Sequence, residues 1–326
     1  MQAFEYASPT TVKQALGLLA DRWGEADILA GGTDLLSLMK EYVHTPRRLV
    51  NVKAIKELGG ISKTASGLRI GATVTLEELL ASPMVRQQYP SLTAAARGVT
   101  SPQIRNMGTV GGDLCQRPRC WYFRLGYGLL PKDQAGRPLI PDGDNRYHAI
   151  LGGGPAYFVS ASSLGPALVA LGASMKIVGG SGERLLPAAQ FFVAPKDEST
   201  REVALRPNEI LAEILVPSNP GANATYEVRQ KEALDWPLAT ASVALRMKGT
   251  AVGSASVVLG HVAPVPWVAQ KAQEVLAGKT ITESVAEQAG EAAVSGAAPL
   301  SQNLYKVQLA RVAVKRALLL ATRGKV

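Results

Sequence analysis

Two glycine-rich segments have the residue types and spacing that could hold a phosphate group. The first, Gly-Gly-Thr-Asp at 31–34, follows a predicted buried strand at 27–30 and precedes a predicted helix at 35–39. Paired glycines let backbone amides approach an anion closely, and the start of a helix adds a favourable dipole. The segment matches neither the GxGxxG nor the P-loop pattern. Taken alone, it could equally be a tight turn between a strand and a helix.

The second segment, Gly-Thr-Val-Gly-Gly-Asp-Leu at 108–114, places another double glycine beside a threonine hydroxyl. Two such loops in one α/β chain could clamp the two phosphates of a dinucleotide from opposite sides. Two unrelated turns would have no reason to repeat the pattern. The pair therefore favours a binding role over two structural turns.

The spacing of apolar residues predicts short helices and strands on both sides of these loops. A helix beginning after the cap Ser8-Pro9-Thr10 comes first, and Thr75 with Glu78 forms a capping box for a helix at 76–85. The stretch at 101–149 is irregular, and loops of this length in a compact domain are usually functional. Strands are predicted at 27–30, 49–52, 68–74, 156–159, 174–178 and 209–217.

After a turn-forming boundary at 218–223, the pattern reads β-β-β-α-α, which is typical of a compact α+β unit. Thr280 and Glu283 predict a second capping box, and Ser301 is the predicted cap of the last helix. The predicted strands lie at 226–230, 240–247 and 254–259, and the helices at 281–294 and 302–322.

Composition excludes several other classes of protein. The net charge is +9, from 35 basic and 26 acidic residues, but no aromatic side chains interleave with the basic ones as a base-stacking surface would require. No apolar run approaches a membrane span, and no signal peptide is visible, so we expect a cytoplasmic protein. Two cysteines, Cys115 and Cys120, and three scattered histidines cannot build a metal site alone. No spacing indicates a nucleophile or an acid–base pair.

The chain resembles the FAD-binding medium subunit of molybdenum hydroxylases. This resemblance rests on Ala-Gly-Gly-Thr-Asp-Leu-Leu at 30–36 paired with Ile-Arg-Asn-Met-Gly-Thr-Val-Gly-Gly-Asp-Leu at 104–114. The family includes the FAD subunits of xanthine dehydrogenase, carbon monoxide dehydrogenase and aldehyde oxidoreductase. The similarity covers essentially the whole chain, and residues 116–124 are most similar to the periplasmic-type aldehyde oxidoreductase FAD subunit.

The resemblance implies an α+β fold and a binding site. The expected fold is a two-part vanillyl-alcohol-oxidase-like FAD-binding domain, with subdomains at 1–58 and 59–218, followed by a small α+β domain at 224–326. The first loop would hold the FAD pyrophosphate by backbone amides, the second would form the opposite wall, and Leu211 would pack on the ring system. The expected FAD-binding residues are Leu29, Ala30, Gly31, Gly32, Thr33, Asp34, Leu35, Leu36, Thr109, Gly111, Gly112, Asp113 and Leu211.

The resemblance also implies a role in electron transfer. A large partner subunit would carry molybdopterin and oxidise an aldehyde or N-heterocycle, and a small partner would carry [2Fe–2S] clusters. Electrons would pass to FAD in this chain and then to an external acceptor, and no residue here would act catalytically on the organic substrate. Two alternatives stay open: a stand-alone FAD oxidoreductase, and a structural subunit that has lost FAD.

The sequence departs from the family pattern at three positions and in one loop. Asp113 replaces the usual Asn, Ser163 replaces an acidic FAD contact, and Glu227 stands where a lysine is common. These changes affect the expected affinity for FAD. Some relatives carry an extra [4Fe–4S] cluster in the loop at 116–150, but only Cys120 occupies a ligand position here. A cluster needs about four thiolates, so we expect none in this chain.

Overall fold

The N-terminal part of the chain folds around a three-stranded parallel sheet. The computed structural model describes residues 1–231 and 235–324. Residues 232–234 and 325–326, which belong to the predicted C-terminal domain at 224–326, lie outside the described residues. The strands lie in the order β1-β3-β2, and both pairings are parallel. The elements are β1 (Glu5–Ala7), α1 (Val12–Leu18), β2 (Ala26–Leu29), α2 (Leu35–Lys40), β3 (Arg48–Asn51) and a 3-10 turn (Lys56–Leu58).

Helix α1 begins one residue later than predicted. Thr11 is its cap, and the Thr11 hydroxyl accepts a hydrogen bond from the backbone N–H of Gln14 at 3.2 Å. Ala15 is fully buried and packs with Val50 of β3, so the apolar face of the helix covers the small sheet. The predicted strand before the first glycine loop is confirmed as β2.

The middle part is a five-stranded antiparallel sheet in the order β4-β5-β8-β6-β7. Its strands are β4 (Ile61–Thr64), β5 (Gly67–Gly71), β6 (Ser174–Gly179), β7 (Gly182–Pro187) and β8 (Glu209–Pro217). Helices between these strands are α3 (Leu76–Ala81), α4 (Pro83–Gln88), α5 (Pro90–Gly98), α6 (Pro102–Met107), α7 (Val110–Cys115), α8 (Trp121–Arg124), α9 (Leu164–Ala170) and α10 (Ala188–Phe191).

The predicted strand at 209–217 and the Thr75–Glu78 capping box are both confirmed. The predicted single helix at 76–85 is wrong, because Pro83 ends it: a new helix starts there with Ser82 as its cap. The predicted strand at 156–159 is also wrong. The backbone carbonyl of Tyr157 accepts a hydrogen bond from the N–H of Ala149, but Ala149 lies in an irregular segment, so this single bond does not form part of a β-sheet.

The C-terminal part is an antiparallel sheet in the order β12-β11-β10-β9, covered by helices. Its apolar core is formed by Val243, Leu245 and Val257 of the sheet with Val314 and Leu318 of the last helix, all fully buried. The elements are β9 (Ala222–Arg229), β10 (Pro237–Lys248), β11 (Ala251–Gly260), β12 (Trp267–Val268), α11 (Gln270–Leu276), α12 (Glu283–Ala293) and α13 (Tyr305–Arg323).

Both predicted caps of the C-terminal helices are wrong. Thr280 pairs with Ala251 in an isolated β-bridge, so α12 starts later and its cap is Thr282, which accepts from the N–H of Val285. The Ser301 hydroxyl accepts instead from the side-chain amide of Asn145 at 2.9 Å, and α13 begins four residues further on. The mixed α+β class itself is confirmed. No helix among residues 1–231 and 235–324 has the length and apolar content to cross a membrane.

Candidate functional site

A cleft between the N-terminal and middle sheets brings the two glycine loops together. Of the first loop, Ala30, Gly31, Gly32, Thr33, Asp34 and Leu35 line it, whereas Leu29 and Leu36 do not. Of the second, Thr109, Gly111 and Gly112 line it. The cleft is also lined by the apolar side chains of Leu19, Trp23, Ile210 and Leu211, the last two on β8.

The first loop leaves β2 and enters α2 with its backbone amides pointing to no protein acceptor. The N–H groups of residues 31–34 take part in no hydrogen bond among the described residues. Gly32 has a φ of +72°, a left-handed conformation that glycine adopts without strain. These free amides are the groups that an anionic ligand can use.

The two loops touch each other through their backbones. A Cβ atom placed on Gly31 would lie 1.9 Å from the carbonyl oxygen of Met107, just before the second loop. No side chain fits at that distance, so only glycine allows the loops to pack this closely. The contact fixes the position of the first loop against the second.

The second loop forms a wall in which the N–H groups of both paired glycines are already used. The Gly111 N–H donates to the carbonyl of Ala72 at 2.8 Å, and the Gly112 N–H donates to the Thr109 hydroxyl at 3.0 Å. Thr109 is buried and is the cap of α7. The loops therefore do not act as two equal clamps, because the first offers the N–H groups of residues 31–34 to a phosphate while those of Gly111 and Gly112 are occupied.

Asp113, an expected residue of the binding wall, does not line the cleft. It accepts a hydrogen bond from the Ser162 hydroxyl at 2.5 Å and from the backbone N–H of Leu164 at 3.0 Å. Asp113 thus holds the start of α9, and burial raises the pKa of its carboxyl. Ser163 lies beside it, fully buried, and its hydroxyl has no partner in the described chain.

Asp34 ties the first loop to the irregular segment that follows α7. Its carboxylate accepts from the Arg124 guanidinium at 2.7 Å and from the backbone N–H of Arg117 at 2.9 Å. Arg119 lies 3.6 Å from the same carboxylate. The side chains of Asp34, Arg119 and Arg124 are only partly exposed, so water screens these ion pairs less than it screens pairs on the surface.

Three cleft features escape sequence reasoning. Trp23 at one end lies under the guanidinium of Arg201, 4.1 Å from the ring centroid, although the two are far apart in the chain. Asp27 and His44 form an ion-pair contact on the same wall. Neither pair has a local sequence signal. Glu202 also lines the cleft and accepts from Arg117 at 2.9 Å.

Neither cysteine has the surroundings of a metal ligand. Cys115 faces the cleft, where burial raises the pKa of its thiol to about 12. The Cys120 sulfur lies 3.1 Å from Nε2 of His148, and burial raises the Cys120 pKa too. In the described ranges, no group of three or more His, Cys, Asp or Glu side chains is placed to hold a metal ion.

Glu227 lies on β9 and not in the cleft lining. Its carboxylate pairs with Arg229 in a buried contact beside Gly98 of α5. Burial raises the Glu227 pKa to about 7. At the position where the resemblance predicts a lysine, this chain therefore has a glutamate that pairs with Arg229.

The chain matches two known protein families. The family described as the FAD binding domain in molybdopterin dehydrogenase matches residues 2–219, and the CO dehydrogenase flavoprotein C-terminal domain matches residues 210–321. The chain is 31% identical to the carbon monoxide dehydrogenase medium chain of Hydrogenophaga pseudoflava, over 97% of this chain and 96% of the relative. It is 32% identical to the aldehyde oxidoreductase FAD-binding subunit PaoB of Escherichia coli (strain K12), over 95% and 96%.

Solved structures show the same likeness. Carbon monoxide dehydrogenase from Hydrogenophaga pseudoflava, in a form lacking the Mo-pyranopterin moiety of its cofactor, superposes with a TM-score of 0.78 at 29% identity, covering 100% of this chain and 99% of the other. Quinoline 2-oxidoreductase from Pseudomonas putida 86 gives 0.77 at 26% identity, covering 99% and 98%. The likeness extends through all three sheets.

Proposed function

This chain belongs to the FAD-binding medium subunits of the molybdenum hydroxylase family, and we propose that its cleft holds FAD through the backbone amides of residues 31–34. The observation that carries this proposal is the set of free N–H groups in the first glycine loop, held open by the contact between Gly31 and Met107. A pyrophosphate is the anionic group of FAD that such amides bind.

The other cleft residues fit the rest of the cofactor. In this proposal residues 31–34 carry the pyrophosphate, Thr109, Gly111 and Gly112 form the wall against it, and Leu211 packs on a ring. Asp113 contributes by holding α9 beside that wall. Arg201 over Trp23 adds a flat, cationic surface at one end of the cleft. FAD, when bound, supplies the redox chemistry, while these residues bind it, orient it and exclude water.

The chain works as the flavoprotein component of a multi-subunit oxidoreductase. We further propose that its partners are a small [2Fe–2S] subunit and a large molybdopterin subunit, since relatives along the whole chain are medium chains of carbon monoxide dehydrogenases. The proposed units within this chain are 1–58 and 59–218 for FAD and 224–326 as the C-terminal domain. A stand-alone oxidoreductase is the alternative that the following experiment tests.

Co-purification tests the proposed partners directly. The tagged chain is isolated from its native host, and the bound proteins are identified by mass spectrometry while the visible spectrum of the complex is recorded. We expect one small iron–sulfur protein, one large molybdopterin protein and flavin bands. A chain that retains flavin yet elutes alone would support the stand-alone alternative, and a complex that releases no flavin on denaturation would support a structural subunit.

A further inference from the structure

An aspartate and a histidine form a polar pair in the wall of the glycine-loop cleft. The carboxylate of Asp27, on β2, contacts Nε2 of His44, which follows α2. Both side chains line the cleft and keep part of their surface open, 13% for Asp27 and 18% for His44. Neither residue belongs to a glycine loop, and the proposed pyrophosphate contacts leave the pair without a role.

Each partner of this pair keeps one polar atom that no protein group occupies. Oδ1 of Asp27 and Nδ1 of His44 take part in no hydrogen bond among the described residues. They differ from the unpartnered nitrogens of His148 and His261, which the fold seals from solvent. One carboxylate oxygen and one imidazole nitrogen are therefore available to a ligand in the cleft.

The backbone holds His44 against β2 before any ligand binds. Tyr42 has a φ of +57°, a left-handed conformation that a bulky residue rarely adopts, at the turn that follows α2. The N–H groups of Val43 and His44 both donate to the carbonyl of Leu38, at 3.0 and 3.3 Å. Asp27 is fixed in turn by the parallel pairing of β2 with β3. A strained turn beside a polar pair is a feature of preorganised ligand sites.

The pair lies about one turn of helix from the first glycine loop. The Leu38 N–H donates to the Asp34 carbonyl at 3.4 Å, so Leu38 stands one helical turn, about 5.4 Å, beyond that loop. His44 is bonded to the Leu38 backbone, and Asp27 comes four residues before Gly31 on the strand that enters the loop. In a nucleoside diphosphate the ribose follows the phosphates directly. The pair is therefore placed to meet the ribose of a ligand whose phosphates bind the loop.

Ribose hydroxyls suit the two available atoms. One hydroxyl of a vicinal diol can donate to a carboxylate oxygen, while its neighbour exchanges a hydrogen bond with an imidazole nitrogen. In other dinucleotide-binding folds, an acidic side chain likewise bonds to a ribose hydroxyl. Leu211, which is assigned to the flavin ring, lies on β8 of the middle sheet, whereas Asp27 belongs to the N-terminal sheet. The pair therefore faces the nucleoside half of FAD and not its flavin half.

We propose that Asp27 and His44 recognise the ribose hydroxyls in the adenosine half of FAD, with the Asp27 carboxylate accepting from one hydroxyl and the His44 imidazole bonding to the other. The proposal rests on the proposed FAD function and adds two residues that the glycine loops do not include. It also defines a specificity. A ribose that carries a 2′-phosphate is disfavoured, because its charge would face the Asp27 carboxylate.

Binding of ADP and of 2′,3′-dideoxy-ADP to the flavin-free full chain tests the proposal. The two probes carry the same pyrophosphate and the same base, and they differ only in the ribose hydroxyls. Isothermal titration calorimetry measures both affinities in the native chain, in Asp27→Ala and in His44→Ala. Asp133→Ala is the matched control, because Asp133 is also ion-paired, with Arg137 at 2.8 Å, but does not line the cleft.

We expect the native chain to bind ADP about tenfold or more tightly than it binds the dideoxy probe, since hydrogen bonds to a charged group are lost with the hydroxyls. In Asp27→Ala and in His44→Ala, this preference for ADP should largely disappear, while the affinity for the dideoxy probe stays native. The Asp133→Ala control should keep the full preference.

The result that overturns the proposal differs from the one that overturns the FAD function. Equal affinities of the native chain for the two probes, or uptake of FAD without detectable binding of ADP, would refute the ribose contact and leave the FAD function standing. Equal weakening of both probes in Asp27→Ala and His44→Ala would show that the pair only holds the cleft wall together. A native chain that binds neither FAD nor ADP refutes the proposed function first. The comparison of probes on the native chain needs no variant, so a folding failure of either variant does not remove the test.

Discussion

Replacing Gly31 with alanine should separate the two glycine loops and weaken FAD binding. The new Cβ would lie 1.9 Å from the Met107 carbonyl oxygen and 2.6 Å from its carbonyl carbon. A carbon–oxygen contact needs about 3.3 Å, so the backbones must move apart by about 1.4 Å. Neither partner is a flexible side-chain end, and the strain therefore cannot be relieved by a rotamer change.

The expected size of the effect follows from the cost of overpacking. Forcing one extra methyl into a close-packed contact typically costs about 1–3 kcal/mol. If that strain is relieved by opening the loop that holds the pyrophosphate, FAD affinity falls about 5- to 150-fold. Titration of the apo chain with FAD, followed by flavin fluorescence, measures this change directly.

Gly17→Ala is the matched control for this substitution. Gly17 lies in α1, and a Cβ there would meet nothing within 4 Å. The same chemical change should stabilise the chain by about 0.5–1 kcal/mol, since alanine favours a helix over glycine, and should leave FAD affinity unchanged. Native affinity in Gly31→Ala, with an unaltered circular dichroism spectrum, would contradict the assignment of this contact.

Three further substitutions have defined outcomes. Asp34→Ala removes the carboxylate that pairs with Arg124, so we expect chemical denaturation to show a loss of about 2–3 kcal/mol in the free energy of unfolding, together with weaker FAD binding. An unchanged denaturation midpoint would show that the Asp34–Arg124 pair does not stabilise the chain. Thr109→Val removes the cap of α7, which should cost about 1 kcal/mol in the same assay, and no loss would show that the cap is dispensable. Because burial raises the Glu227 pKa to about 7, the native chain should lose stability relative to Glu227→Gln as pH rises from about 4.5 to 7. Between pH 4 and pH 8, the difference in unfolding free energy between Glu227→Gln and the native chain should therefore change by up to about 3 kcal/mol in favour of the variant, even though Glu227 pairs with Arg229. Parallel pH profiles of the two proteins would contradict the raised pKa.

The features that could be predicted from sequence are those fixed by neighbouring residues. The first glycine loop sits between a strand and a helix because its apolar flanks and paired glycines are contiguous. The Thr75–Glu78 box needs only three residues of spacing, and the strand at 209–217 ends at its own proline. Each of these depends on hydrogen bonds or steric limits within a few positions.

The failures come from contacts between distant residues. Thr280 has the spacing of a cap, but its pairing with Ala251 keeps it extended and delays the helix. Asp113 lies in a glycine loop, yet its carboxylate bonds to the Ser162 hydroxyl, 49 positions away. A local pattern cannot reveal such a partner, so the glycine loop alone does not indicate which groups this carboxylate binds.

The irregular segment after α7 shows the same limit at a larger scale. Arg119 and Trp236 belong to different parts of the chain, and only folding places the guanidinium over the indole. The buried Lys306 that fixes two histidine carbonyls lies in a helix whose basic residues suggest a solvated face. Its burial depends on the packing of α13 against the segment near residue 148.

The FAD content of the purified chain tests the central claim most directly. Protein is denatured, and the flavin released from it is identified and quantified against the protein concentration. The proposed site predicts one FAD per chain in the native protein and a large loss in Gly31→Ala, with Gly17→Ala unchanged. A native chain that releases no flavin, and that takes up none when FAD is added, would contradict the account.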